Sequence, residues 1–424
     1  MNTAEITRVT LHNGLRIVIE EEHSVPVAGV AVHYDVGFRA EAENASGLAH
    51  LFEHLMFQGA AGTGPSHFQQ VERAGGFCNA STRQDYTDFY TVVPADAVAE
   101  VIALEADRMR ASKITEQAVR TQISVIREEV LGKIRRPYGG FPWPRLSPVL
   151  FRAFANAHDG YGDYAALRQV TVRDCEEFFD RHYGPGNAVV TVAGDVEPEA
   201  VLTVIERAFG AIPPRPVPPP SPYGEPEPAG QAAAEYADPL APLPALALGY
   251  RVPDPAAGPA AHFALSALAG VLVGGVRPRL RERLHRETGQ NVTFSARVGL
   301  FDLLDARDPD MWLLTAIHPA GLSAERVLAA VDAELDALGA TGPADEELRR
   351  CRTAWLLSHH RSMDRLADRV RILGRFELLF GDPGLAARLP ESYAGVGAAD
   401  VAAAARGLRP DSRALLRVVP GEGR

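Results

Sequence analysis

The chain has 424 residues, of which 46% are hydrophobic, and a formal net charge of −11. That length and apolar content suffice for two substantial cores and exclude an intrinsically disordered protein. The acidic balance argues against a nucleic-acid partner, which selects basic patches. Three cysteines, Cys78, Cys175 and Cys351, are odd in number and far apart. They point to a reducing compartment without a disulfide framework, and no C-x-x-C pair offers thiolates to a metal. Residues 1–8 carry neither the basic nor the apolar region of a signal peptide, and the longest apolar run, 264–276, is too short to span a bilayer. The expected setting is therefore cytoplasmic, with no membrane partner. Of 43 Lys and Arg residues only Lys113 and Lys133 are lysine, a bias that reads as coding composition rather than a recognition surface.

In chain order, apolar runs at 15–20 and 27–34 predict strands, followed by an apolar helix around 48–56 and a strand at 87–93. Helices are expected at 94–109 and 115–133. Residues 212–228 hold nine prolines in seventeen positions, which excludes a helix or central strand and marks an interdomain linker. It divides the chain into expected domains 1–211 and 229–424. The second half repeats the order of the first, with strands at 246–250, 292–298 and 311–318 and helices at 323–338 and 343–360. The pattern reads as an internal duplication of one α+β unit.

His50-Leu51-Phe52-Glu53-His54 carries the chemistry. On a helix His50 and His54 project from one face, where two imidazoles can share a metal ion. Glu53, at the edge of that face, can reach an attacking water without being a ligand. H-x-x-E-H is the inverzincin signature, and hydrolytic zinc requires a third protein ligand from elsewhere. Leu48, Leu51, Phe52, Leu55 and Met56 form an apolar stripe, so the helix is packed. Asn44 or Ser46 is expected to cap its start and Gly59 to end it.

Residues 47–59 resemble the active-site helix of the pitrilysin/insulysin family of zinc peptidases, in particular its short-chain branch, which includes the mitochondrial processing peptidase β subunit. Residues 10–16 resemble the family's opening strand, Gly75-Gly76-Phe77-Cys78-Asn79-Ala80-Ser81-Thr82 the strand beside the zinc, and 183–188 with 192–195 the segment closing the first half. The resemblance implies two duplicated α/β-roll domains of the processing-peptidase type, α+β in class. It implies Zn²⁺ held by His50, His54 and a glutamate on a second helix, which 122–130 matches. Glu129 is the matching position, separated from His54 by 74 residues, with Glu128 its neighbour on another helix face. Glu53 is the implied general base, and Asn79 and Ala80 the edge-strand residues that pair with substrate. Gln122 stands where the family usually has a second glutamate, so an outer-sphere charge is lost.

The second half lacks the chemistry. Residues 259–276 match the zinc helix but hold only His262, expected to be structural. His359-His360 read as a surface pair, and His67, His158 and His182 as ordinary loop histidines. The family offers an Arg and a Tyr, seven apart, to the substrate carbonyl. The matching positions here are His285, with Arg286 next to it, and Val292. The expected protein is thus a zinc endopeptidase acting on peptides, working with a homologous subunit that lacks H-x-x-E-H and brings the Arg and Tyr. Leader-peptide processing for a ribosomally made natural product and a non-catalytic scaffold are the alternatives.

Overall fold

The computed structural model describes residues 5–58, 65–112, 114–219, 223–228 and 230–421. The first half runs β1 (Ile6–Thr10), β2 (Arg16–Glu21), β3 (Val27–Tyr34), α1 (Leu48–Leu55), α2 (His67–Arg73), β4 (Phe77–Thr82), β5 (Thr87–Pro94), α3 (Val98–Arg110) and α4 (Glu116–Ile134). It continues with α5 (Trp143–Leu150), α6 (Phe154–Ala157), α7 (Tyr164–Leu167), α8 (Val172–His182), β6 (Ala188–Gly194) and α9 (Pro198–Phe209). The second half runs β7 (Ala232–Asp238), β8 (Ala245–Arg251), α10 (Ala260–Val273), α11 (Arg279–Thr288), β9 (Thr293–Val298), β10 (Met311–Ile317), α12 (Ala324–Thr341) and α13 (Asp345–Asp364). It closes with α14 (Leu366–Phe380), α15 (Leu385–Ala394), α16 (Ala398–Gly407) and β11 (Arg413–Pro420).

The strands form a six-stranded sheet in the order β1-β2-β6-β3-β5-β4 and a five-stranded sheet in the order β7-β11-β8-β10-β9. From β2 onward the two match strand for strand: one parallel pair, β2 with β6 and β7 with β11, then three antiparallel pairs. This is the α+β duplication expected from the order of elements. The long apolar strands β3 and β6 are buried along nearly their whole length, as strands covered on both faces must be. One expectation is corrected: within 10–16, Thr10 ends β1 and Arg16 begins β2, and residues 11–15 are the turn between them, closed by the Gly14 N–H to the Leu11 carbonyl.

Contacts group the chain into two compact units that interleave in sequence. Unit 1 comprises 1–128, 160–222 and 360–388; unit 2 comprises 129–159, 223–359 and 389–424. The division falls inside α4, which runs unbroken through it. It differs from a division at the proline-rich stretch by two segments. Helix α14, from the second half of the sequence, packs on β6, β3, β5 and β2 of the first sheet, while α5, from the first half, packs on β11, β8 and β7 of the second. Close approach makes the first of these possible. A Cβ on Gly374 of α14 would lie 2.4 Å from the His33 ring, and one on Gly29 of β3 would lie 2.9 Å from Val370.

Candidate active site

Helix α1 is set by packing on one side and by an unforeseen cap at its start. Leu48, Leu51, Phe52, Leu55 and Met56 are all buried, as the stripe predicts. The Phe52 ring lies 5.1 Å from both Phe178 and Tyr183. Neither Asn44 nor Ser46 caps the helix. The N-cap is Gly47 at φ +97°, a left-handed conformation that glycine adopts without strain, and it makes no side-chain cap bond. The donors are satisfied instead by buried Glu41, whose carboxylate accepts the N–H groups of Gly47 at 2.7 Å and Ala49 at 2.8 Å. A carboxylate there also complements the positive end of the helix dipole. Sequence reasoning missed Glu41 because it lies outside the capping-box spacing. At the other end, α1 stops at Leu55 and a short 3₁₀ turn, Met56–Gln58, follows; Gly59 lies outside the described residues.

His50 is buried and His54 half-buried, their ring centroids 5.0 Å apart. Glu129 enters from α4, also half-buried. Ligand atoms of His50, His54 and Glu129 all lie within 4.8 Å of one another. Glu129 Oε1 also accepts a 2.5 Å hydrogen bond from Lys133 Nζ, one turn on. Glu128 is exposed and paired with Arg127 at 3.1 Å, away from this group. Gln122, two turns before Glu129, is buried. The donor set fits a zinc ion: two imidazoles and one carboxylate, with room in a tetrahedron for a fourth, non-protein ligand.

Glu53 is half-buried, and its Oε2 accepts a 2.6 Å hydrogen bond from the Thr82 hydroxyl. Thr82 ends β4, the last strand in the order of the first sheet. Alternation along β4 puts Ala80 and Thr82 on the face where α1 packs, and Asn79 and Ser81 on the other. Asn79 is exposed and Ala80 buried, and Asn79 Oδ1 accepts the Ala80 N–H at 2.8 Å.

The remaining histidines lie apart from this group. His262 is buried in α10, and His359 stacks on Trp355 with centroids 5.1 Å apart. His67 is no loop residue: it opens α2, is buried, and sits 3.5 Å from Glu105. On α11, His285 and Arg286 are both exposed, whereas Val292 is buried just before β9.

A twofold-repeated sheet-and-helix scaffold with a His/His/Glu donor set beside a glutamate defines a class of metallopeptidase-like folds. Residues 16–132 match the model described as "Insulinase (Peptidase family M16)", and residues 169–354 the model described as "Peptidase M16 inactive domain". The chain belongs to peptidase family M16. It is 29% identical over 209 residues to a probable mitochondrial-processing peptidase subunit beta of Arabidopsis thaliana, which covers 49% of this chain and 39% of that protein. It is 29% identical over 251 residues to the zinc protease PqqE of Helicobacter pylori, covering 58% of this chain and 56% of that one. The chain thus spans about two fifths to just over half of these relatives. Among solved structures, a protease from Helicobacter pylori superposes with a TM-score of 0.87 at 23% identity, over 98% of this chain and all of the other. That likeness speaks to the fold. No described helix is long and apolar enough to cross a membrane.

Proposed function

We propose that the chain is a zinc-dependent endopeptidase for extended peptides or flexible termini, with His50, His54 and Glu129 as metal ligands and Glu53 as general base. The observation that carries this reading is the convergence of three ligand side chains from α1 and α4, within 4.8 Å, beside a glutamate anchored by Thr82. Relatives bearing the name zinc protease support the choice of metal. Zinc bound there supplies Lewis acidity toward a carbonyl and makes water acidic enough to ionise near neutral pH.

The chain's own groups do the rest. Glu53 takes the proton of the attacking water and returns it to the leaving amine. The Thr82 hydroxyl restricts the Glu53 carboxylate to one orientation, which lowers the entropy cost of reaching the water. β4 offers an edge to which an extended backbone can add as a further strand. An incoming carbonyl competes with Asn79 Oδ1 for the Ala80 N–H. Lys133 holds one oxygen of Glu129, orienting that carboxylate as outer-sphere partners of metal ligands do. Gln122 is a neutral neighbour on the same helix.

The second unit supports a partner. With His285 and Arg286 exposed and Val292 buried, the Arg and Tyr that would face the substrate carbonyl are read as coming from a homologous subunit without H-x-x-E-H. The loss of one such oxyanion donor typically costs about 10²- to 10³-fold, so the isolated chain is expected to be weakly active. Solution mass together with activity, measured with and without that subunit, tests the pairing; full activity from the pure chain contradicts it.

The central experiment is metal analysis alongside Glu53→Gln. The expected result is close to one zinc per chain in both proteins, with peptide hydrolysis reduced about 10²- to 10⁴-fold in the variant. Wild-type turnover in Glu53→Gln excludes it as the base.

A further inference from the structure

The two faces of β4 are tied down by different parts of the chain. On the α1 face, Thr82 donates to Glu53. On the other face, Arg371 of α14 reaches Ser81, its Nη2 donating to Ser81 Oγ at 3.0 Å. The same guanidinium forms a bidentate pair with Asp88 of β5, Nε to Oδ2 at 2.5 Å and Nη2 to Oδ1 at 3.2 Å. Its carbon lies 4.6 Å from the centroid of Tyr90, also on β5. Ser81 and Asp88 face each other across the β4–β5 ladder, and Tyr90 faces Asn79. Arg371 therefore clamps both strands where the sheet meets Glu53 and the proposed substrate edge.

We propose that Arg371 is a positioning residue for the site, holding β4 through Ser81 and Asp88 so that Thr82 keeps Glu53 in place and residues 79–80 keep their presentation. The proposal rests on the peptidase reading given above.

Three observations carry it. First, β4 is hydrogen-bonded as a strand only to β5 among the described residues, so its position depends on side-chain ties more than that of an inner strand does. Second, Asp88 is fully buried, and a buried carboxylate persists only with a partner; the planar, bidentate guanidinium matches it as an ammonium does not. Third, the second sheet makes the same ladder without this tie. Counting from the end of each edge ladder, the pair equivalent to Ser81 and Asp88 is Arg297 and Leu313. The duplicated fold thus closes its sheet without a buried carboxylate there. Among the described residues the clamp occurs in the sheet against which α1, bearing His50, Glu53 and His54, packs.

The test uses the full chain, with its partner subunit where that is required, and three variants: Arg371→Met, Arg371→Lys and Ser81→Ala. Zinc content, thermal melting, amide exchange over 77–82, and kcat and KM on an unstructured peptide are measured. All three variants are expected to keep zinc, because neither Arg371 nor Ser81 belongs to the ligand group. Ser81→Ala removes one hydrogen bond at no cost in charge; kcat is expected to fall on the order of 10-fold, in line with the sensitivity of reacting geometry to small displacements, with KM raised and β4 exchange faster. Arg371→Lys is expected to recover most of the melting temperature lost in Arg371→Met, since it still pairs with Asp88, but not kcat. Wild-type kcat, KM and β4 exchange in Ser81→Ala and Arg371→Lys overturn the proposal, even if Arg371→Met fails to fold. A zinc-loaded wild type that hydrolyses no peptide defeats the peptidase reading instead; the positioning role is then decided by β4 exchange, and unchanged protection in Ser81→Ala and Arg371→Lys overturns it.

Discussion

The two sheets of this chain share one topology and differ in what lies across them. In the first, α1 brings His50 and His54 together with Glu129 and sets Glu53 on the Thr82 hydroxyl, and it is capped at a distance by Glu41. In the second, α10 packs against β9 with Phe263, Leu265, Leu268 and Leu272 buried and His262 its sole imidazole. The same architecture is therefore reached with an apolar helix and with one carrying three buried or half-buried polar groups. What the fold demands of this helix is an apolar stripe. The polar residues of α1 are a cost that hydrogen-bond partners and a bound metal ion would offset.

The comparison breaks most visibly if the first half can stand alone. Residues 1–211 lack α14, so the face of β3, β5 and β6 beneath Gly374, Val370 and Arg371 would be bare, and Asp88 would lose its bidentate partner Arg371. This fragment is expected to show no cooperative melt and no stoichiometric zinc; a sharp calorimetric transition in it would refute the dependence on α14.

Next in size is the ligand assignment. Glu129→Ala is expected to remove most of the zinc, whereas Glu128→Ala and, in the second sheet, His262→Leu are expected to keep it. Retention in Glu129→Ala with loss in Glu128→Ala places the helix one residue out of register. Phe52→Ala follows, at about 3–5 kcal/mol for an aromatic removed from a packed core, measured by denaturant titration. A loss below about 1 kcal/mol means that the Phe178 and Tyr183 cluster does not set α1.

Acid stability sharpens the comparison further, because both units bury histidines. Burial pushes His182 and His262 down to about 4, and burial with the Arg108 guanidinium pushes His67 down to about 2, from an ordinary 6.5. The folded groups stay neutral while their unfolded counterparts charge below pH 6.5, so unfolding takes up protons there. Their stabilisation is complete above that pH and is lost as pH falls toward the folded values. His262→Leu is expected to remove part of this acid limb, on the order of 1–3 kcal/mol between pH 6.5 and 4.5. Parallel stability curves for variant and wild type contradict it. The smallest effect is expected at the cap. Glu41→Gln keeps one acceptor and loses the charge at the start of α1, at about 0.5–2 kcal/mol, read as a lowered melting temperature with zinc retained.

Much of this was legible in the residues themselves. Periodicity placed β3, β5, β8, β10, α4, α12 and α13 to within a few positions, because each is long, strongly patterned and locally determined. The H-x-x-E-H spacing, read as a helix, put His50 and His54 on one face, and the resemblance pointed to Glu129, which the fold brings to them. Local pattern could not say which sheet an amphipathic helix covers. α5 and α14 each lie on the sheet of the other half of the sequence, the latter admitted by close approach at Gly29 and Gly374. Nor could it show that Glu41 caps α1 in place of Asn44 or Ser46, or that Arg371, 290 residues from Ser81, holds the strand beside Glu53. A sequence fixes which groups are present and which local faces they share. Hydrogen bonds and ion pairs across hundreds of residues exist only once the chain has paid the entropy of bringing those faces together.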